Sequence, residues 1–149
     1  MTLVVYRSRI AVSREDLFEF HAHVSNLAGI SPPFPRLRIE NASEPTREGD
    51  LQHIVLGAGP LRYAWDARVR TVIPGSLIED VQERGPFRRW RHQHRFGDAG
   101  PGHAQLTDAI SFSILPGTAG AFLEYLFARP AIWLLLAWRH RRTGALLER

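Results

Sequence analysis

Residues 80–96 read DVQERGPFRRWRHQHRF, and the architecture follows from this stretch. Gly85-Pro86 marks a turn, and the residues on both sides have strand character. Over 88–96 the residue types alternate. Trp90, His92, His94 and Phe96 fall on one face, and Arg89, Arg91, Gln93 and Arg95 on the other. Successive strand side chains point to opposite faces. A row of arginines belongs in water, so the Trp-His-His-Phe row faces the interior. The stretch is one antiparallel hairpin with a wet back and a buried, partly polar front.

The same pattern continues outward. Strand candidates cover 2–12, 36–42, 50–56, 61–73, 77–83, 88–96 and 104–115. The turns after the third to sixth are Gly57-Ala58-Gly59-Pro60, Pro74-Gly75, Gly85-Pro86 and residues 97–102. Short connections make consecutive strands antiparallel. After the first strand, Ser13 is a good N-cap, and Glu15 and Asp16 suit a first helical turn. Leu17, Phe18, Phe20 and Val24 have helical spacing. A second short helix over Asn26–Ile30 must stop at Pro32-Pro33. The chain closes with a long apolar helix, about 118–142, in which Pro130 predicts a kink or a break. The expectation is an α+β domain spanning 1–149. A curved antiparallel sheet of about seven strands wraps around the C-terminal helix, with two short helices between strands 1 and 2. That helix is the only large element left to cover the concave face.

Parity sorts the other strands too. Tyr63, Trp65, Ala67 and Val69 look inward, as do Ile78, Asp80 and Gln82, and Leu106, Asp108, Ile110, Phe112 and Ile114. A last hairpin centred near Gly100 sets Asp108 opposite His92, and a turn at Gly85-Pro86 brings Asp80 within one pair of His92. Asp80, Gln82, His92, His94 and Asp108 therefore share one interior surface. Buried polar groups without partners cost about 1–3 kcal/mol each, so these must bond one another, water or a ligand.

Composition narrows the class. Hydrophobic residues make up 44%, enough for a real core, and there is no cysteine. All 19 basic residues are arginine, and the net charge is +4. On the outer face Arg68 and Arg70, Glu79 and Glu83, then Arg89 and Arg91 stand on neighbouring strands. Cross-strand pairs of this kind contribute roughly 0.2–1 kcal/mol each and account for much of the basic charge. No aromatic residues interleave these arginines, so no nucleic-acid partner is expected. The opening MTLVVYRSRIAVSRED is broken by Arg7 and Arg9 and is no signal peptide, so a cytoplasmic protein is the default. The apolar run 131–137 is too short to span a bilayer. Yet apolar residues surround 131–138, and Arg139, Arg141 and Arg142 follow. The segment reads first as a core helix, and a peripheral membrane contact or a homodimer through it is the alternative.

The stretch 80–96, followed by TDAISF (107–112) and a closing helix with LFARP, resembles the START-like, helix-grip superfamily. More narrowly it is similar to bacterial SRPBCC proteins of the polyketide cyclase/dehydrase and lipid transport kind. The resemblance rests on Asp80, Gln82, Gly85, Pro86, Phe87, Trp90, His92, His94 and Phe96, with NLAGISPP (26–33) and Trp65 upstream. It implies a seven-stranded sheet around the last helix and a hydrophobic-ligand cavity. It does not fix an activity, because such folds host carriers, cyclases, hydrolases and sensors.

Two functional readings follow. In the first, a small hydrophobic molecule (a lipid, an isoprenoid or an aromatic polyketide-like compound) is held between sheet and helix by Tyr63, Trp65, Gln82, Trp90, His92, His94, Phe96 and Phe112. In the alternative, a cyclase or dehydratase uses His92 and His94 with Asp80 and Asp108 as general acid and base. His-x-His on a strand also sets two imidazoles on one face, with Asp80 or Asp108 as a third ligand. That spacing alone is a weak signal, and no metal or cofactor is expected. His21-x-His23 is not comparable, because residues two apart on a helix diverge.

Overall fold

The computed structural model describes residues 1–148. Its elements run β1 (Thr2–Ile10), α1 (Arg14–Ala22), α2 (Asn26–Ile30), β2 (Arg36–Asn41), β3 (Leu51–Ala58), β4 (Leu61–Ile73), β5 (Leu77–Arg84), β6 (Arg89–Asp98) and β7 (Ala104–Ser113). A closing helix follows over Gly117–Leu147. All seven strands form one antiparallel sheet in the order β1-β7-β6-β5-β4-β3-β2. This is the helix-grip arrangement expected from the sequence. Ser13 caps α1, its side chain accepting a hydrogen bond from the Asp16 N–H at 3.1 Å.

The closing helix is continuous in a way the sequence reading did not foresee. It consists of α3 (Gly117–Leu123), one π-helical turn (Glu124–Ala128) and α4 (Arg129–Leu147). Pro130 has no N–H and its ring crowds the preceding turn. The wider turn just before it absorbs that conflict, with the Arg129 N–H bonded to the Glu124 carbonyl. The result is neither a break nor a loss of the last turns, which extend to Leu147. Glu124 ties this turn to the sheet by accepting from Thr2 Oγ1 at 2.6 Å and from the Ile114 N–H at 2.7 Å.

Two apolar clusters fill the concave face. One gathers Ile10, Leu17, Ile78, Phe96 and Leu106 under α1. The other gathers Val4, Trp90, Ile110, Phe112, Ile132 and Leu136 under α4. The convex face carries the ion pairs read from strand parity. Arg68 grips Glu83 with two hydrogen bonds of 2.7 and 3.1 Å, and Arg91 bonds Glu79 at 2.8 Å.

Measured over its whole length the closing helix is long and apolar enough to cross a membrane. One face is nevertheless built into the fold through Ile132, Leu136, His140 and Thr143. A second face is exposed and carries Phe122, Tyr125, Leu126, Phe127, Trp133, Leu134 and Trp138.

Candidate functional site

A cavity of about 280 Å³ opens where the two clusters meet, since Ile78 and Leu106 of the first and Trp90 and Ile132 of the second line it. Sheet and α4 form most of its wall. The α1–α2 segment and the chain leading into β2 close it through Phe20, Leu27, Ile30 and Pro35. Most of the lining is apolar, with Trp65 and Trp90 meeting edge to face at 4.9 Å between ring centroids. One side is polar: Asp80, His92, His94, Asp108, Arg139 and His140.

Hydrogen bonding fixes much of this polar side. Asp80 pairs directly with His92 across β5 and β6, and Asp108 pairs with His94 across β6 and β7. Asp108 Oδ1 lies 3.0 Å from His92 Nε2, and its Oδ2 lies 2.7 Å from His140 Nε2. An ionised carboxylate only accepts, so both ring nitrogens donate. His140 Nδ1 then accepts from the Ser8 hydroxyl at 2.5 Å. The chain Ser8–His140–Asp108–His92 is satisfied, and it leaves Nδ1 as the lone-pair nitrogen of His92.

His94 is placed differently. Its Nδ1 lies 2.5 Å from Asp108 Oδ1 but off the line of a hydrogen bond, and it is buried without a hydrogen-bond partner. Its Nε2 stands 3.9 Å from Asp80 Oδ2, beyond hydrogen-bonding distance. The rings of His92 and His94 are 3.9 Å apart.

The protonation states diverge accordingly. Burial alone would raise the Asp108 carboxyl. The electrostatic pull of His94 and His92 and the bonds from His140 and His92 outweigh it, holding Asp108 well below the ordinary value. Burial pushes Asp80 up to about 6, and Asp108 adds to the effect, against the pull of His94 and Arg139. Burial lowers His21 to about 4, reinforced by His94. Burial also lowers the Arg139 guanidinium, opposed by Asp108 and Asp80.

Trp65, Asp80, Trp90, His92, His94 and Asp108 thus share the cavity wall. Four other expected lining residues do not. Tyr63 is 53% exposed, because the first residues of β4 pair only with β3 and project past the end of β5. The Gln82 amide is spent on the turn, donating to the Phe87 carbonyl at 2.7 Å and accepting from its N–H at 3.3 Å. Phe96 points inward but is covered by α1, against Phe18 and His21. Phe112 is fully buried in the cluster under α4. The hairpin register also differs from expectation by two residues, so Asp108 faces His94 and bonds His92 on the diagonal.

Sequence reasoning missed several polar residues of the wall, among them His21, Arg139 and His140. His140 had a readable signal, since Ile132, Leu136 and His140 recur at helical spacing on one face. His21 had one as well, four residues after the buried Leu17. Its ring sits 5.6 Å from that of His94, while His23, also in the lining, bonds the Glu19 carbonyl through Nδ1 at 2.9 Å.

Among solved structures, protein CV1439 from Chromobacterium violaceum is similar at 14% identity, with a TM-score of 0.73 over 99% of this chain and 97% of that one. The Zhui aromatase/cyclase from Streptomyces sp. R1128 gives 17% identity and 0.68 over 97% and 95%. A START superfamily protein from Mycobacterium smegmatis gives 11% and 0.68 over 98% and 97%. Identities this low show the fold alone. No curated protein matches the sequence significantly. The family model for polyketide cyclase/dehydrase and lipid transport matches residues 10–135. With most of its length inside that match, the chain belongs to the polyketide cyclase/dehydrase and lipid transport family.

Proposed function

We propose that the protein binds one small, largely apolar molecule in the cavity, with its polar end against the Asp80–His92–His94 wall. The observation that carries this reading is the cavity itself: aromatic and aliphatic walls with a few convergent polar groups on one side. Its volume of about 280 Å³ is just below the range of ordinary ligand pockets, roughly 300–1,000 Å³. That favours a compact isoprenoid or aromatic polyketide-like compound over a long-chain lipid. Native mass spectrometry of the freshly purified protein tests it. A co-purified apolar mass of that size is expected. No adduct, together with no thermal shift from any apolar metabolite, counts against it.

A cyclase or dehydratase reading is favoured by one feature, the ionised Asp108 that backs the imidazoles of both His92 and His94 beside the cavity. His92→Gln and His94→Gln should then each abolish turnover of a polyketide substrate. Survival of turnover in both variants rejects acid–base catalysis there.

The exposed helix face suits an anionic membrane surface. Tyr125, Trp133 and Trp138 are amphipathic anchors, and Arg129, Arg141 and Arg142 supply the opposite charge. Flotation with anionic vesicles but not neutral ones is the expected result. A concentration-dependent dimer in solution, with no flotation, assigns the face to a second copy instead.

A further inference from the structure

The Ser8–His140–Asp108–His92 chain satisfies its own members. Two groups beside it have valence to spare. His94 Nδ1 has no hydrogen-bond partner, and its Nε2 is too far from Asp80 to bond it. His94 Nε2 and the Asp80 carboxylate both belong to the cavity wall, 3.9 Å apart and not bonded to each other, and so are open to a shared third species.

We infer that Asp80, His92 and His94 form a site for one divalent first-row transition-metal ion. One ligand atom from each lies within 4.8 Å of the other two. Ligands about 2.0–2.2 Å from a tetrahedral zinc ion stand roughly 3.3 Å apart. The 3.9 Å between His94 Nε2 and Asp80 Oδ2 is already close to that, and small side-chain rotations complete the closure.

The surroundings match what such a site needs. A metal-bound histidine usually hands its other ring nitrogen to a carboxylate, which fixes its orientation. Asp108 takes that position behind His92 at 3.0 Å and lies 2.5 Å from His94 Nδ1. It would act as a positioning residue for both, itself held by His140. Two imidazoles and one carboxylate suit zinc or iron(II), not calcium or magnesium. Three protein ligands leave a coordination position facing the cavity. Arg139 works against a cation here, since its charge reaches both Asp108 and Asp80. The two carboxylates offset Arg139 and one charge of the ion. The net +1 that remains favours a cavity ligand bearing an anionic or strongly polar oxygen. The inference does not rest on the ligand reading above, because the site lies in the wall and needs no occupant in the cavity.

Isothermal titration of chelator-stripped protein with Zn²⁺ tests it, with Co²⁺ absorption as a report on coordination. One equivalent should bind. Asp80→Asn and His94→Gln should each weaken binding by more than the ~10–100-fold expected of an outer partner such as Asp108→Asn. A His53→Gln/His103→Gln double variant, at two sites outside the cavity wall, should bind as the native chain does. Absence of binding overturns the site, and so does binding lost with His53 and His103 but kept without Asp80 and His94. Should the cavity variants fail to fold, imidazole NMR of the native chain decides. Zn²⁺ should shift His92 and His94. Shifts confined to His23, His53 and His103 overturn the site.

Discussion

Replacing Asp80 with asparagine should stabilise the metal-free protein near neutral pH and leave it almost unchanged near pH 4. Asp80 is largely buried, with 16% of its side chain exposed, and burial raises its carboxyl from 3.8 to about 6. The folded state therefore holds this proton more tightly than the unfolded state does. The stability linked to it is fully present below pH 3.8 and is lost as pH rises through about 6. A shift of about two units at 1.36 kcal/mol each gives a loss of about 3 kcal/mol by pH 7, against about 0.5 kcal/mol at pH 4. Asparagine has nearly the same shape and never ionises, so it escapes this loss. Urea unfolding of both proteins at intervals from pH 4 to pH 8, with a chelator present, measures the difference. It should grow with pH by about 2–3 kcal/mol, or roughly 5–10 °C in the thermal midpoint at pH 7. A difference that stays flat across this range would falsify the assignment of Asp80 as a buried, partly protonated acid.

His21 should show the opposite dependence. Its imidazole is held down at about 4 from 6.5, so stability linked to it is present above pH 6.5 and falls as pH drops toward 4. His21→Gln should gain about 3 kcal/mol on the native chain between pH 7 and pH 4 in the same urea experiment; no gain rejects a half-buried, neutral histidine. Gly120→Ala would place a Cβ 2.0 Å from the Leu115 carbonyl oxygen and 2.6 Å from its carbon. Because backbone must move, a loss of roughly 1–3 kcal/mol is expected by thermal unfolding, and an unchanged midpoint refutes the tight approach of α3 to that loop. Leu136→Ala removes a fully buried side chain from the cluster under α4. It should cost about 2–5 kcal/mol in chemical denaturation, and a cost below 1 kcal/mol would show that α4 does not pack there as described.

The hairpin at 80–96 carried the fold because parity survives errors of register. Residues 99–103 form the loop between β6 and β7, with Gly100 and Gly102 at positive φ, so the turn is centred on Pro101 and not on Gly100. That moved Asp108 by two residues, which changes its partner but not its face. The Asp80–His92 pairing across Pro86 fell within the expected register. Parity did not reveal where the concave face is filled. Phe96 and Phe112 point inward, yet α1 and α4 occupy the space before them. Nor did it reveal strand overhang, which exposes Tyr63, or the local demand of a turn, which claims Gln82. His21, Arg139 and His140 come from helices. Their approach to the strand cluster depends on how each helix is rotated, and strand alternation says nothing of that.

The proposed function puts one compact apolar molecule in this cavity. Trp65 and Trp90 line it, whereas Trp133 and Trp138 are exposed on the closing helix. In a Trp133→Phe/Trp138→Phe protein, fluorescence therefore reports on the cavity alone. Titration with a naphthol-sized aromatic should change that signal saturably at one molecule per chain. Ala67→Phe, which fills the cavity from β4, should abolish the change while the protein stays folded. A signal that never saturates, or equal binding by the filled variant, would contradict the claim.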